Sequence, residues 1–219
     1  MKSITLLLLF SIFSVSPDYQ LKQQNIQIGL FWKWFISHKD IFEHLTETNR
    51  DKKLDLVLDQ LNKIQPGLAV EISDEFKGTR DFVISANRDI DKFSTVKAIV
   101  SEAPHIKGWK VTAFRQKAGQ DFTVKYGNLS FKPSQMFFYP NKTEDGLDII
   151  VYVKGIANQD KEKVNYYGLI AMDNVLGEYD SVTKVKNYFF RDLETAKNKK
   201  ELRPVSQLPD FIRQYYSIK

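Results

Sequence analysis

Apolar and polar positions alternate along this chain with two different periods, and the period separates helices from strands. Apolar residues at helical spacing predict a helix from about 30 to 45 and a second one from about 52 to 64. Alternation at every second residue predicts strands at 68–72 and 82–86, which we expect to pair as an antiparallel hairpin. A further helix is predicted over 91–103.

The second half of the chain contains more strand signals than the first. A helix that is apolar on nearly all sides is predicted from 162 to 176, and a short helix from 208 to 216. Strands are predicted at 109–114, 122–126, 129–131, 136–139, 147–153 and 181–190.

These elements indicate an α+β fold, with a mainly antiparallel sheet and helices packed on at least one of its faces. The order strand, helix, strand occurs at 82–114 and again at 147–190. This recurrence is compatible with a weak internal duplication.

The beginning of the chain has the layout of a secretory signal peptide. Lys2 precedes an apolar run over 4–13, and small residues stand at 14 and 16, before Pro17. The run is shorter than the about 20 apolar residues that a membrane-spanning helix needs. An uncleaved tether and a cytosolic protein with a buried start are the alternatives.

The resulting domain prediction has three parts. Residues 1–16 are a signal peptide cleaved after 14 or 16, residues 17–29 are a linker, and 30–219 form a single α+β domain. We expect this domain to be exported to the periplasm or the medium, without a transmembrane span after cleavage.

The amino-acid composition excludes several kinds of site. The chain has no cysteine, which excludes disulfides, thiolate catalysis and cysteine-ligated metals, and also excludes a lipid-anchored cysteine. Apolar residues make up 42% and aromatic residues 13%, which is typical of a globular protein with a real core. No cofactor or metal is predicted.

The net charge of +5 comes from the end of the chain. Residues 184–219 contain nine Lys and Arg against four Asp and Glu, whereas the earlier part is balanced. A solvated charged loop accounts for this excess, but it could also attract an anionic surface. The candidate interaction residues here are Lys186, Arg191, Lys199, Lys200 and Arg203.

Nucleic acid is not an expected partner, because the basic residues are not interleaved with stacking aromatics in a recognisable module. Trp32 is a separate candidate for an interface. It lies off the apolar stripe of the first helix, and an exposed tryptophan can mark a binding surface, but burial under a neighbouring loop is the favoured interpretation.

Asp173, Asn174 and Glu178 form the most site-like polar group, since they follow a helix that is otherwise buried. Paired carboxylates at a helix end can act as acid and base, but such residues also hold the turn that leads to the next strand. The chain has no Gly-x-Ser-x-Gly elbow and no glycine-rich phosphate loop. No catalytic residue is therefore assigned.

The chain resembles a family of uncharacterised bacterial α+β proteins with no established activity. The resemblance rests on the aromatic helix at 31–35, the segment 103–110, the block 172–178 and the segment 201–204. Members of that family begin close to the aromatic helix, whereas this chain has an additional signal-like start. The resemblance implies a fold but no chemistry.

These observations favour an exported, non-catalytic protein that binds an unknown protein or a component of the cell envelope. The first alternative is an intracellular partner-binding protein of the immunity type. The second is a hydrolase whose catalytic residues converge from distant positions. The oligomeric state is not indicated.

Overall fold

Two larger β-sheets, each with helices packed on one face, and a separate two-stranded antiparallel sheet make up the β-structure of the described residues. The computed structural model describes residues 17–119 and 121–217, so the predicted signal peptide lies outside the described residues. The first half contains α1 (Pro17–His38), α2 (Arg50–Leu61), β1 (Ala69–Ile72), β2 (Arg80–Ser85), α3 (Phe93–Ser101) and β3 (Trp109–Ala113).

The second half is richer in strands. It contains β4 (Val124–Tyr126), β5 (Leu129–Phe131), β6 (Met136–Thr143), β7 (Gly146–Val153), α4 (Lys161–Leu176), α5 (Glu178–Thr183), β8 (Asn187–Asp192), β9 (Arg203–Pro204) and α6 (Leu208–Ser217).

The two sheets repeat one connection pattern. In the first sheet, of order β1-β2-β3, an antiparallel hairpin is followed by α3 and a strand that runs parallel to β2. In the second sheet, of order β8-β7-β6-β9, the hairpin β6-β7 is followed by α4, α5 and the parallel strand β8. The predicted α+β fold, mainly antiparallel with helices on the sheets, is confirmed, and the antiparallel pairing of β1 with β2 is observed as expected.

Aromatic residues of α1 form the first core. Phe31 and Phe35 project from the same face of α1 and are buried against the first sheet. The ring of Phe35 stacks on that of Phe82 with 4.6 Å between the centroids, and meets Trp109 edge-on at 5.2 Å. Burying each such side chain contributes about 1.5–3 kcal/mol, so this cluster anchors the helix to the sheet.

The second core lies between α4, α6 and one face of the second sheet. Helix α4 approaches β8 closely at Gly168, where an added Cβ would stand 2.5 Å from the ring of Phe190. Only glycine leaves room for the aromatic ring at this crossing. The cores of the two halves are separate apolar clusters.

The structure corrects four predictions from the sequence. Residues 17–29, predicted as a linker, form the first half of α1, because Ile28 is buried in the same core as Phe31. Trp32 is buried rather than exposed: its indole Nε1 donates a hydrogen bond to the carbonyl of Ile99 at 2.8 Å. It therefore cannot serve as a surface interaction residue.

The strand predicted at 181–190 begins only at Asn187 in the structure. Gly177 has φ of +80°, which ends α4, and a second short helix, α5, then continues to Thr183 before β8 begins. The helix predicted over 30–45 likewise ends at His38 and continues as a 3₁₀ turn over Lys39–Phe42. None of the described helices is long and apolar enough to cross a membrane.

The close approach at Gly168 leads to a stability prediction. We expect Gly168→Ala to lower the free energy of unfolding by about 1–3 kcal/mol, because the methyl group would displace the packed ring of Phe190. The matched control is Gly29→Ala in α1, where nothing lies within 4 Å of an added Cβ, and it should stabilise by about 0.5–1 kcal/mol. Urea unfolding of both variants measures the difference, and equal effects would contradict the predicted close packing.

Candidate functional site

The polar residues singled out by sequence lie where the two halves of the chain meet. Asp173 is in the last turn of α4, and Glu178 is the first residue of α5, just beyond Gly177. Both side chains are fully buried, with 0% relative exposure. Their hydrogen-bond partners lie in loops of the first half, and these partners limit the chemistry that the two carboxylates can perform.

Glu178 binds the loops at one edge of the first sheet. Its Oε1 accepts a hydrogen bond from the backbone N–H of Arg88, and its Oε2 accepts one from the backbone N–H of Arg115, both at 3.0 Å. These residues follow β2 and β3, which are parallel neighbours, so their carboxyl ends lie at the same edge. Arg88 and Phe114 both have positive φ, of 67° and 66°, in these turns.

Asp173 occupies the same junction and pairs with cations. Its Oδ1 accepts a hydrogen bond from the guanidinium of Arg88, and its Oδ2 lies 3.8 Å from Nη1 of Arg115. Oδ2 is the buried side-chain atom without a hydrogen-bond partner in the part of the chain that the structure describes. Burial raises the pKa of Asp173 to about 6, against the opposing effect of Arg88.

Hydroxyl groups connect this junction to the second sheet. Nη1 of Arg88 donates to Oγ of Ser181 at 3.0 Å, and Ser181 in turn lies 3.1 Å from the hydroxyl of Tyr188 on β8. Burial raises the pKa of the Tyr188 hydroxyl well above its usual range. The polar chain therefore runs from the loops of the first sheet to the first strand residues of β8.

This arrangement fits a structural role for the two carboxylates. Neither side chain reaches solvent, so a substrate could contact Asp173 or Glu178 only if the two halves separated. Asn174 is also used locally, since its Nδ2 donates to the carbonyl of Ile170 and its own carbonyl accepts from Ala118. Among residues 17–119 and 121–217, no cluster of three or more His, Asp or Glu side chains could hold a metal ion.

A second candidate lies on the opposite side of the second sheet. Tyr188 and Phe190 point toward α4, so Phe189 and Arg191 point to the other face of β8. The strand registers place further large side chains beside Phe189 on that face. We call this surface the aromatic face, and its members are Phe137, Tyr139, Ile150, Tyr152 and Phe189.

The aromatic face is not part of either core. None of its members belongs to the two apolar clusters or to the side chains packed against them. Phe189 is 44% exposed and Tyr139 is 37% exposed, although they flank the central strand of the sheet. Tyr152 is largely covered by its neighbours, but its hydroxyl has no hydrogen bond in the described residues and is not hidden from solvent.

The first sheet shows what a solvated face of this fold looks like. Its outward positions carry Glu71, Asp81, Lys110 and Thr112, with Val83 as the apolar exception. Such alternation is expected when one face of a sheet packs on the core and the other faces water. The second sheet, built with the same connections, has aromatic residues at the equivalent positions.

A cleft flanks the aromatic face at each outer strand. The cleft along β8 has a volume of about 640 Å³ and includes Phe189, Arg191 and Lys161 in its lining. The cleft at β9 has a volume of about 460 Å³ and includes Tyr139 and Lys200. Each cleft wraps around an edge of the sheet, since its lining also includes residues of the helix-covered side, Tyr188 and Phe190 at β8 and Arg203 at β9.

The predicted basic residues divide into two groups. Lys186 pairs with Asp145 at 2.8 Å, Lys199 pairs with Glu194 at 2.8 Å, and the guanidinium of Arg203 lies over the ring of Phe211 on the covered side of the sheet. Arg191 and Lys200 have no ion pair within the described residues and line the two clefts.

Sequence reasoning missed Arg88, Arg115 and the aromatic face. Arg88 and Arg115 are separated from Asp173 by 85 and 58 residues, so no local spacing connects them. A signal for the face was present in β8, where Tyr188, Phe189 and Phe190 place aromatic residues on both sides of one strand. An edge strand with one solvated face normally alternates with polar residues.

No family model, curated protein or solved structure matches this chain. The resemblance to an uncharacterised bacterial family stays a prediction.

Removing the Glu178 carboxylate should weaken the junction. Glu178→Ala leaves the amide groups of Arg88 and Arg115 without their acceptor, and we expect a loss of about 2–4 kcal/mol of unfolding free energy. Glu178→Gln keeps one acceptor oxygen and should fall between wild type and Ala. Glu162→Ala, at an exposed position of α4, is the control in urea unfolding. An equal loss in the Ala and control variants would refute this role.

The raised pKa of Asp173 predicts a pH-dependent stability. The buried side chain favours the protonated form, so its stabilising contribution is full below about pH 4 and is lost as the pH rises through about 6. Relative to Asp173→Asn, wild type should lose of the order of 3 kcal/mol between about pH 4 and about pH 7. Asp59→Asn, at an exposed position of α2, controls for other carboxylates in urea unfolding at each pH. A difference in unfolding free energy between wild type and Asp173→Asn that does not change with pH would contradict the raised pKa of Asp173.

Proposed function

We propose that this chain is an exported, non-catalytic binding protein whose partner is a protein or another component of the cell envelope. The observation that carries the proposal is the uncovered aromatic face on a sheet whose other side is fully packed. Aromatic residues that remain exposed and contiguous are characteristic of binding surfaces, because their removal from water contributes free energy to association.

The environment of the carboxylates supports a non-catalytic function. Glu178 accepts two backbone hydrogen bonds, and Asp173 is paired with Arg88, so both groups already have structural partners. General acid or base catalysis requires the group to lie within hydrogen-bond reach of a substrate. A hydrolase and an intracellular immunity-like protein are the alternatives to this proposal.

Export is the second part of the proposal and rests on the signal-like start of the chain. Removal of 1–14 or 1–16 would release a protein that begins close to α1. Its partner would then be met outside the cytoplasm, where the aromatic face is available to envelope components.

Fractionation of cells of the source organism tests both parts in one experiment. We expect the protein in the envelope fraction, with an intact mass that corresponds to the loss of the first 14 or 16 residues. Tyr139→Ala and Phe189→Ala should shift it from the envelope to the soluble exported fraction, because each removes an exposed ring of the aromatic face.

Phe76→Ala is the matched control, since Phe76 is 74% exposed but lies in a turn of the first half. It should leave the distribution unchanged. A full-length protein in the cytosol would overturn export and favour the intracellular alternative. Equal retention of all three variants in the envelope would overturn the assignment of the binding surface.

A further inference from the structure

The aromatic face has the shape and the charges to bind one class of ligand, and this inference rests on the proposed function. We propose that it binds an extended acidic polysaccharide, with uronate carboxylates, laid across the strands from Arg191 on β8 to Lys200 beside β9. The face has a suitable width, hydrogen-bonding groups and, among the described residues, unpaired cations for such a ligand.

The width of the face determines how long a ligand can lie across it. Four strands lie side by side in the order β8-β7-β6-β9, and neighbouring strands are about 4.8 Å apart, so the outer strands are about 14 Å apart. Phe189, Ile150 and Tyr139 form one row across the strands, because Ile150 pairs with both of the other two residues. Tyr152 lies between Phe137 and Arg191 in the adjacent row. A flat, extended polymer of a few rings matches this length.

The two rows of the face combine aromatic rings with hydroxyl groups. The carbon-bound hydrogens of a sugar ring form an apolar surface that packs on aromatic rings, while its hydroxyls need hydrogen-bond partners. The hydroxyls of Tyr139 and Tyr152 have no hydrogen bond among the described residues. At one end of the face, Asn187 donates to Asp148 at 2.8 Å, which provides a polar border. Rings and hydroxyls therefore occur together on one surface, as a polyhydroxylated ligand requires.

Positively charged side chains lie at both edges of the face. Arg191 stands beside Phe189 in the β8 cleft, and Lys200 stands beside Tyr139 in the β9 cleft; neither has an ion pair within the described residues. A guanidinium can bind a carboxylate through two parallel hydrogen bonds. Each edge of the face thus offers at least one cation without an ion pair in the described residues to an anionic group of a ligand that crosses the sheet.

The modest number of cations separates a polyuronate from a nucleic acid. Nucleic acid binding depends on the neutralisation of several successive phosphates by Lys and Arg. Here the free cations stand at the edges, and carboxylates lie near them, at the largely buried Asp148 on the face and at Glu201 in the β9 cleft. A ligand with a lower charge density and more hydroxyl groups fits this distribution better.

Isothermal titration of the purified protein with hexagalacturonate tests the inference. We expect saturable binding that weakens when NaCl is raised to about 0.5 M, because free surface charges are then screened over a few ångströms. Maltohexaose, which has sugar rings but no carboxylates, should bind at least about tenfold more weakly, corresponding to about 1.4 kcal/mol.

Variants locate the binding surface. Phe189→Ala and Arg191→Ala should each weaken hexagalacturonate binding at least about tenfold, or about 1.4 kcal/mol. Phe76→Ala and Lys110→Ala are the matched controls, since both residues are exposed but lie in the first half, and they should change the affinity less than about twofold. All four positions are exposed, and circular dichroism checks that each variant is folded.

The remaining outcomes overturn the inference. Binding of an oligothymidylate more tightly than hexagalacturonate would assign the face to single-stranded nucleic acid. A dimer of wild type that Phe189→Ala converts to monomer would assign it to a second copy. Absence of hexagalacturonate binding by a wild type whose envelope retention still depends on Tyr139 and Phe189 would reject the polysaccharide while leaving the proposed function intact. If hexagalacturonate does not bind and envelope retention does not depend on Tyr139 and Phe189, both the polysaccharide ligand and the proposed function are rejected.

Discussion

The carboxylate of Glu178 is the contact on which the junction between the two sheets depends. It accepts the backbone N–H groups of Arg88 and Arg115, and its own N–H donates to the carbonyl of Arg115 at 2.8 Å. Backbone donors that are buried without an acceptor are costly, so these turns are stable only with α5 in place. The apolar cores of the halves are separate clusters, and this polar junction helps to set how one half is oriented relative to the other, together with the ring of Tyr179 against Phe93 and Phe114.

The second sheet uses a related arrangement within its own half. Asp192, at the end of β8, accepts the backbone N–H groups of Ile156 and Ala157 at 2.8 and 3.0 Å, beyond the end of β7. Hydrogen bonds from backbone amides, that of Glu194 first, lower the pKa of Asp192. In each half, a carboxylate thus accepts backbone hydrogen bonds from the loops at one edge of a parallel strand pair. Only in the first half does that carboxylate come from the other half of the chain.

The two sheets differ most on the sides away from their helices. The first exposes Glu71, Asp81 and Lys110, which hydrate well, whereas the second exposes rings that no described helix covers. Exposed apolar surface lowers solubility, so a contiguous patch of rings is usually maintained for binding. The same connection pattern therefore supports a plain solvated surface in one half and the proposed ligand surface in the other.

Much of the secondary structure was predictable from sequence, because helical and alternating apolar periods report local burial directly. The aromatic helix, the first hairpin and the order strand, helix, strand in both halves follow from these periods. The burial of Trp32, the pairing of Asp173 with Arg88 and the sharing of one face by Tyr139 and Phe189 were decided by tertiary structure alone. Periodicity reports which side of one element is apolar, but strand order, register and long-range ion pairs depend on which elements meet in space.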